Sequence, residues 1–100
     1  MLFNTKNDKR FRNNRLVKYS FRSKGNPLKD VSLVVSMVDG DTLVYYKCFS
    51  INFNPKKVWN QNYNLFSLPK IDSKSSELKI YFWNPNKENI SISKSDLIVY

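Results

Sequence analysis

Trp59, Trp83, Tyr45, Tyr46, Tyr63, Tyr81 and Tyr100 are the side chains of this sequence with the widest chemical reach. An aromatic plane packs on the C–H face of a sugar ring, and Asn, Asp and Lys nearby can take the sugar hydroxyls. The same rings can stack nucleotide bases while Lys and Arg hold phosphates. They can equally fill the interior of a β-structure. The candidate ligand-binding residues are Trp83 with Tyr81 and Asn84, and Trp59 with Tyr63. Tyr45 and Tyr46 come next.

Other chemistries find little support. There is no His and a single Cys, so neither a Ser-His-Asp nor a Cys-His arrangement can form, and the usual zinc sites are out of reach. No phosphate-binding glycine loop or dinucleotide fingerprint is present. The acids Asp8, Asp30, Asp39, Asp41, Asp72, Glu77, Glu88 and Asp96 mostly adjoin turn residues, and no pair stands out as facing carboxylates across a cleft. The chain is not expected to be an enzyme. One acid has a distinctive setting. Ile90 and Ile92 share a parity, whereas Leu97 and Val99 carry the apolar character after Ser93-Lys94-Ser95-Asp96. A bulge there turns Asp96 toward backbone. Its carboxylate then either joins carbonyl oxygens around a structural Ca²⁺ or accepts backbone N–H bonds.

The elements that must position these residues are strands. Leu78, Ile80 and Phe82 alternate with Lys79, Tyr81 and Trp83, the period of a strand with one face on a core. Trp83 and Tyr81 therefore face away from that core. Asn84 to Asn89 breaks the run, and the spacing predicts a β-hairpin whose second arm runs to Tyr100. Upstream, Val17, Tyr19 and Phe21 face inward, and Ser23 to Pro27 reads as a loop. Val31, Leu33, Val35 and Met37 form an inner face, with Val34 and Val38 implying partial cover on the other. Asp39-Gly40-Asp41 predicts a tight hairpin to a strand over Thr42 to Phe53, apolar on both parities at first. Between Val58 and Leu68, Trp59, Tyr63 and Leu65 share one parity, and Phe66 and Leu68 the other, which predicts a register change near Leu65. Short strands separated by Gly, Pro and Asn indicate an antiparallel sandwich or barrel without long helices.

Composition sets the outer limits. One hundred residues with 41% hydrophobic and 15% aromatic side chains fit one small folded domain. Residues 1–14 read as a polar, basic arm or an imperfect edge strand, and residues 15–100 as the folded unit. No apolar run approaches the ~18 residues of a membrane span, and Met1-Leu2-Phe3, followed at once by polar residues, is not expected to act as a secretory signal. Cys48, set in an aromatic strand, reads as a small buried hydrophobe. The net charge is +9. Only Lys6 to Lys18, with Lys9, Arg10, Arg12 and Arg15, is dense in cations. The remainder are scattered, so the charge reads as solvated strand faces ahead of a nucleic-acid surface.

Trp59, then Leu68-Pro69, then Lys79-Ile80-Tyr81-Phe82-Trp83-Asn84-Pro85, then Ile90-Ser91-Ile92 and Asp96-Leu97-Ile98-Val99, resemble the C-terminal part of a known group. It is the jelly-roll, carbohydrate-binding-module-like domain of bacterial envelope and surface proteins, and the resemblance covers about residues 15–100. It implies an all-β, antiparallel two-sheet β-sandwich of jelly-roll type, located in the cell envelope or outside the cell. It also implies a non-catalytic binding role beside a parent protein or neighbouring domain, with glycan as ligand. Ser95 stands where the group often has Asp, which puts the cation in doubt. The group's domain usually begins one or two strands earlier, so an incomplete N-terminal end is expected. The alternatives are a cationic nucleic-acid-binding or adhesion module and a structural accessory domain without a small ligand.

Overall fold

The computed structural model describes residues 3–6, 16–25, 31–51, 54, 56–69, 75–87, 89–93 and 95–100. They form eight strands: β1 (Phe3–Lys6), β2 (Leu16–Gly25), β3 (Ser32–Asp39), β4 (Thr42–Ser50), β5 (Asn60–Ser67), β6 (Ser76–Trp83), β7 (Ile90–Ile92) and β8 (Asp96–Val99). One antiparallel sheet runs β1-β6-β3-β4. The other runs β5-β2, with β7 and β8 sharing the far side of β2. The domain is an all-β sandwich.

Alternation builds the core between the sheets. Val17, Tyr19 and Phe21 of β2 face Leu33, Val35 and Met37 of β3 and Leu78 and Ile80 of β6, and all are buried. Each large apolar side chain removed from water contributes roughly 1.5–3 kcal/mol. Phe82 adds an edge-on contact with Phe21, ring centroids 5.2 Å apart. The expected hairpin joins β3 to β4. Gly40 turns it at φ 61°, and the nearest atom to a Cβ built there is Ser75 Oγ at 3.9 Å. Backbone conformation, not crowding, selects glycine at this turn.

The pairings nest: β3 with β4, β2 with β5, and β1 with β6, all antiparallel. This is the winding of a jelly roll. The β7–β8 arm lies outside the nest, and no strand among the described residues flanks its free side. Its inward residues Ile90, Ile92, Leu97 and Val99 are only half-buried.

Several expectations are corrected. The segment after Trp83 is not a hairpin turn. β6 has β1 on one side and β3 on the other, so the chain must cross to the second sheet before β7 can pair. Lys87, at φ 51°, takes the left-handed conformation. β2 continues through Ser23 to Gly25, because β5 and β7 supply partners beyond Phe21. β5 keeps one register from Asn60 to Ser67, with no shift at Leu65. Its inner face is Asn60, Asn62, Asn64 and Phe66, continued by Leu68. Three buried Asn are tolerated because they are satisfied. Asn62 Nδ2 donates to Ser23 Oγ at 3.0 Å and to the Asn60 carbonyl, Asn64 Nδ2 donates to the Tyr19 carbonyl, and Asn60 Oδ1 accepts the Asn54 N–H. Cys48 is exposed: Phe49, opposite Leu33, takes the inner parity of β4 and leaves Cys48 on the outer face. Of residues 1–14, Phe3–Lys6 form the edge strand β1. The dense cations Lys9, Arg10, Arg12 and Arg15 lie outside the described residues.

Candidate functional site

The structure places the candidate aromatics on opposite faces of the sandwich. Trp83 and Tyr81 project from the outer face of the first sheet, as their parity requires. Trp83 is 55% exposed, and Asn84 follows it at the start of the crossover. Tyr81 and Cys48 flank Val34 from the two neighbouring strands, and Tyr46 flanks Ser36. Val34 is 1% exposed although it points away from the core, so these side chains act as its roof. Cys48 Sγ donates to Tyr46 Oη at 3.3 Å. Charges on this face are paired: Glu77 sits 3.4 Å from Lys6 and 3.1 Å from Lys79. Tyr45 points inward and is half-buried, tilted against Phe66.

Trp59 and Tyr63 lie on the outer face of the second sheet. Tyr63 is 67% exposed and Trp59 39%. Trp59 immediately precedes β5, four residues before Tyr63. Facing them on β2 are Lys18, Ser20, Arg22 and Lys24, all on the outward parity. Lys24 Nζ lies 5.9 Å from the Trp59 ring centroid, and Lys18 Nζ 5.7 Å from that of Tyr63. Gln61 stands between the rings opposite Arg22, and its Nε2 donates to the Phe21 carbonyl. A shallow depression of about 130 Å³ opens beside it, lined by Ser20, Phe21, Arg22, Gln61, Ser93 and Asp96. This face therefore combines exposed rings, hydrogen-bonding side chains and cations along one strand pair.

The depression marks the expected bulge. β7 holds Ile92 opposite Ser23, and β8 holds Asp96 opposite Ser20, so β2 has two residues between these pairs where the facing chain has three. The group that repairs the ladder is Ser93, not Asp96. Its N–H donates to the Arg22 carbonyl and its Oγ accepts the Arg22 N–H, both at 2.8 Å. The Asp96 carboxylate is exposed on the outer face, and no cluster of three metal-ligating side chains occurs among the described residues. On the inner side of the bulge, the Tyr19 hydroxyl is buried without a hydrogen bond in good geometry. Burial raises its pKa, and the approach of the Ser95 side chain opposes that only partly.

Lys24, Arg22, Gln61 and Ser93 are the residues that sequence reasoning missed. Lys18, Arg22 and Lys24 share one parity, which is a stripe once β2 is known to extend to Gly25. Reading Ser23 to Pro27 as a loop hid it. Comparison with known families, curated proteins and solved structures finds no match for this chain.

Proposed function

We propose that this domain is a non-catalytic binding module for carbohydrate, carried by a larger envelope or surface protein, with its ligand on the outer face of the β5–β2 sheet. The observation that carries this reading is the exposure of Trp59 and Tyr63 on one face, with Gln61 and Arg22 between them and Ser20 opposite Tyr63. Such rings offer stacking planes, and the polar side chains supply directional contacts for hydroxyls. Tyr81 serves as cover for Val34 of its own sheet, and Trp83 lies opposite Ser32 on that sheet, apart from the cationic stripe of β2. Asp96 lines the rim of the depression, where its carboxylate can accept from a sugar hydroxyl.

A glycan array probed with the wild-type domain, Trp59→Ala, Tyr63→Ala and Trp83→Ala tests this. The expected result is retention of at least one glycan class. Loss of either Trp59 or Tyr63 should weaken it at least about tenfold, ~1.4 kcal/mol, with Trp83→Ala within about twofold of wild type. Retention of no glycan overturns the reading. Loss only in Trp83→Ala moves the site to the other face.

A further inference from the structure

Resting on that reading, we infer that the sugar chain taken by the Trp59–Tyr63 face is anionic, bearing carboxylate or sulfate groups on its rings. Two ring–ammonium pairs recur along this face, Lys24 over Trp59 and Lys18 over Tyr63, at nearly equal separations of 5.9 and 5.7 Å. A ring partnered in this way already holds a cation at the distance where cation–π attraction acts. Each ammonium lies over its ring, so a unit that stacks there moves it aside, and an acidic unit then keeps it at the ring edge as a charge partner.

A sugar acid carries its C–H face and its negative charge on the same ring, so one residue of the ligand can engage both members of the pair. A nucleotide places a ribose between its base and its phosphate and needs the cation farther from the ring. Between the two pairs stands Arg22, exposed and without an ion pair among the described residues. Its planar fork matches a carboxylate or sulfate in bidentate geometry. Lys18, Arg22 and Lys24 face the single carboxylate of Asp96 among the described residues of this face. The face is thus net positive, complementary to a polyanion. On the opposite sheet Glu77 pairs with both Lys6 and Lys79, and Lys47 of β4 lies 5.0 Å from the Phe49 ring centroid.

The test measures affinity for two matched pairs of probes: oligogalacturonate against its methyl ester, and dextran sulfate against dextran. A thymidine oligonucleotide of equal charge is run beside them. We expect at least one acidic probe to bind tenfold or more tighter than its neutral partner. The ratio should shrink steadily with added salt as the Debye length falls. Lys18→Gln with Lys24→Gln should lower the ratio at least about threefold, with Arg22 still in place. Circular dichroism and thermal unfolding of that double variant check that the fold is kept. Equal binding of a neutral partner overturns this inference and leaves the carbohydrate reading standing, as does a glycan array on which only neutral sugars are retained. No binding to any sugar overturns both. Tighter binding of the oligonucleotide than of either acidic probe assigns the face to single-stranded nucleic acid and overturns the inference.

Discussion

The two outer faces of the sandwich each expose a Trp and a Tyr, yet the side chains around them differ. On the β6–β3–β4 face, Tyr81, Cys48 and Tyr46 close over Val34 and Ser36, and the cations at the far end are held by Glu77. The aromatic surface there covers something. On the β5–β2 face, Tyr63 lies opposite Ser20, and the outward Leu65 beside it is itself 53% exposed and so is left uncovered. The other neighbours of Tyr63 and Trp59 include Lys18, Lys24, Arg22 and Gln61. The difference teaches that exposure of a large ring is ambiguous by itself. What the ring lies against decides whether it serves the fold or faces a ligand.

The comparison is broken most directly by truncating one ring on each face. Tyr81→Ala removes a half-buried ring and uncovers Val34, and it should lower stability by about 2 kcal/mol. Tyr63→Ala removes a ring two-thirds exposed and should cost well under half of that. Urea unfolding midpoints report both, and ligand affinity should respond in the reverse order. If Tyr63→Ala proves the more destabilising, the β5–β2 face is a covering surface too, and the assignment of roles fails.

Much of this architecture is legible in the residues. Alternation in Val17 to Phe21, Val31 to Met37 and Leu78 to Phe82 gives the inner faces correctly, because every second side chain is apolar and the core sits on one side. Gly40 marks the hairpin for a local reason. Sheet membership is not legible in the same way. Whether the chain after Trp83 doubles back or crosses over depends on how many partners β6 already has, which no local pattern encodes. The Asn triad of β5 misleads for a related reason: polar residues read as outward until their partners on β2 and at Asn54 are known. The bulge is legible as a parity change between Ile92 and Leu97. The identity of the group that satisfies it is not, because both Ser93 and Asp96 are suited by type, and only the register places Ser93 against Arg22.

That register gives a smaller effect, inside the β5–β2 sheet. Ser93→Ala strips the acceptor from the Arg22 N–H at the edge of the depression. It should cost about 1 kcal/mol, in the range of a single hydrogen bond whose donor can partly turn to water. Asp96→Ala removes an exposed carboxylate and should change stability by less than about 0.5 kcal/mol. The two variants compared by thermal unfolding sharpen the division between scaffold and site. A destabilisation by Asp96→Ala equal to that of Ser93→Ala would restore Asp96 as a structural member of the bulge.

The smallest effect is an acid dependence confined to the other face. The hydrogen bond from Lys79, then the charges of Lys79 and Lys6, hold the Glu77 carboxyl below its ordinary value of 4.5, against a partial opposing effect of burial. A folded-state pKa below the unfolded one means that the unfolded chain binds the proton more readily. The pair therefore contributes stability above pH 4.5, and that contribution is lost as pH falls through the lower folded value. Lys6 is largely exposed and Lys79 partly so, so the contribution is modest and shrinks with salt. Glu77→Gln should be less stable than wild type at pH 6 and low ionic strength, and the gap should close as the solution is acidified below pH 4. Lys18 and Lys24 of the β5–β2 face lie against rings instead of carboxylates, so Lys18→Gln with Lys24→Gln should show no such closing gap. If it does, those lysines are paired with an acid, and the charge asymmetry between the two faces is lost.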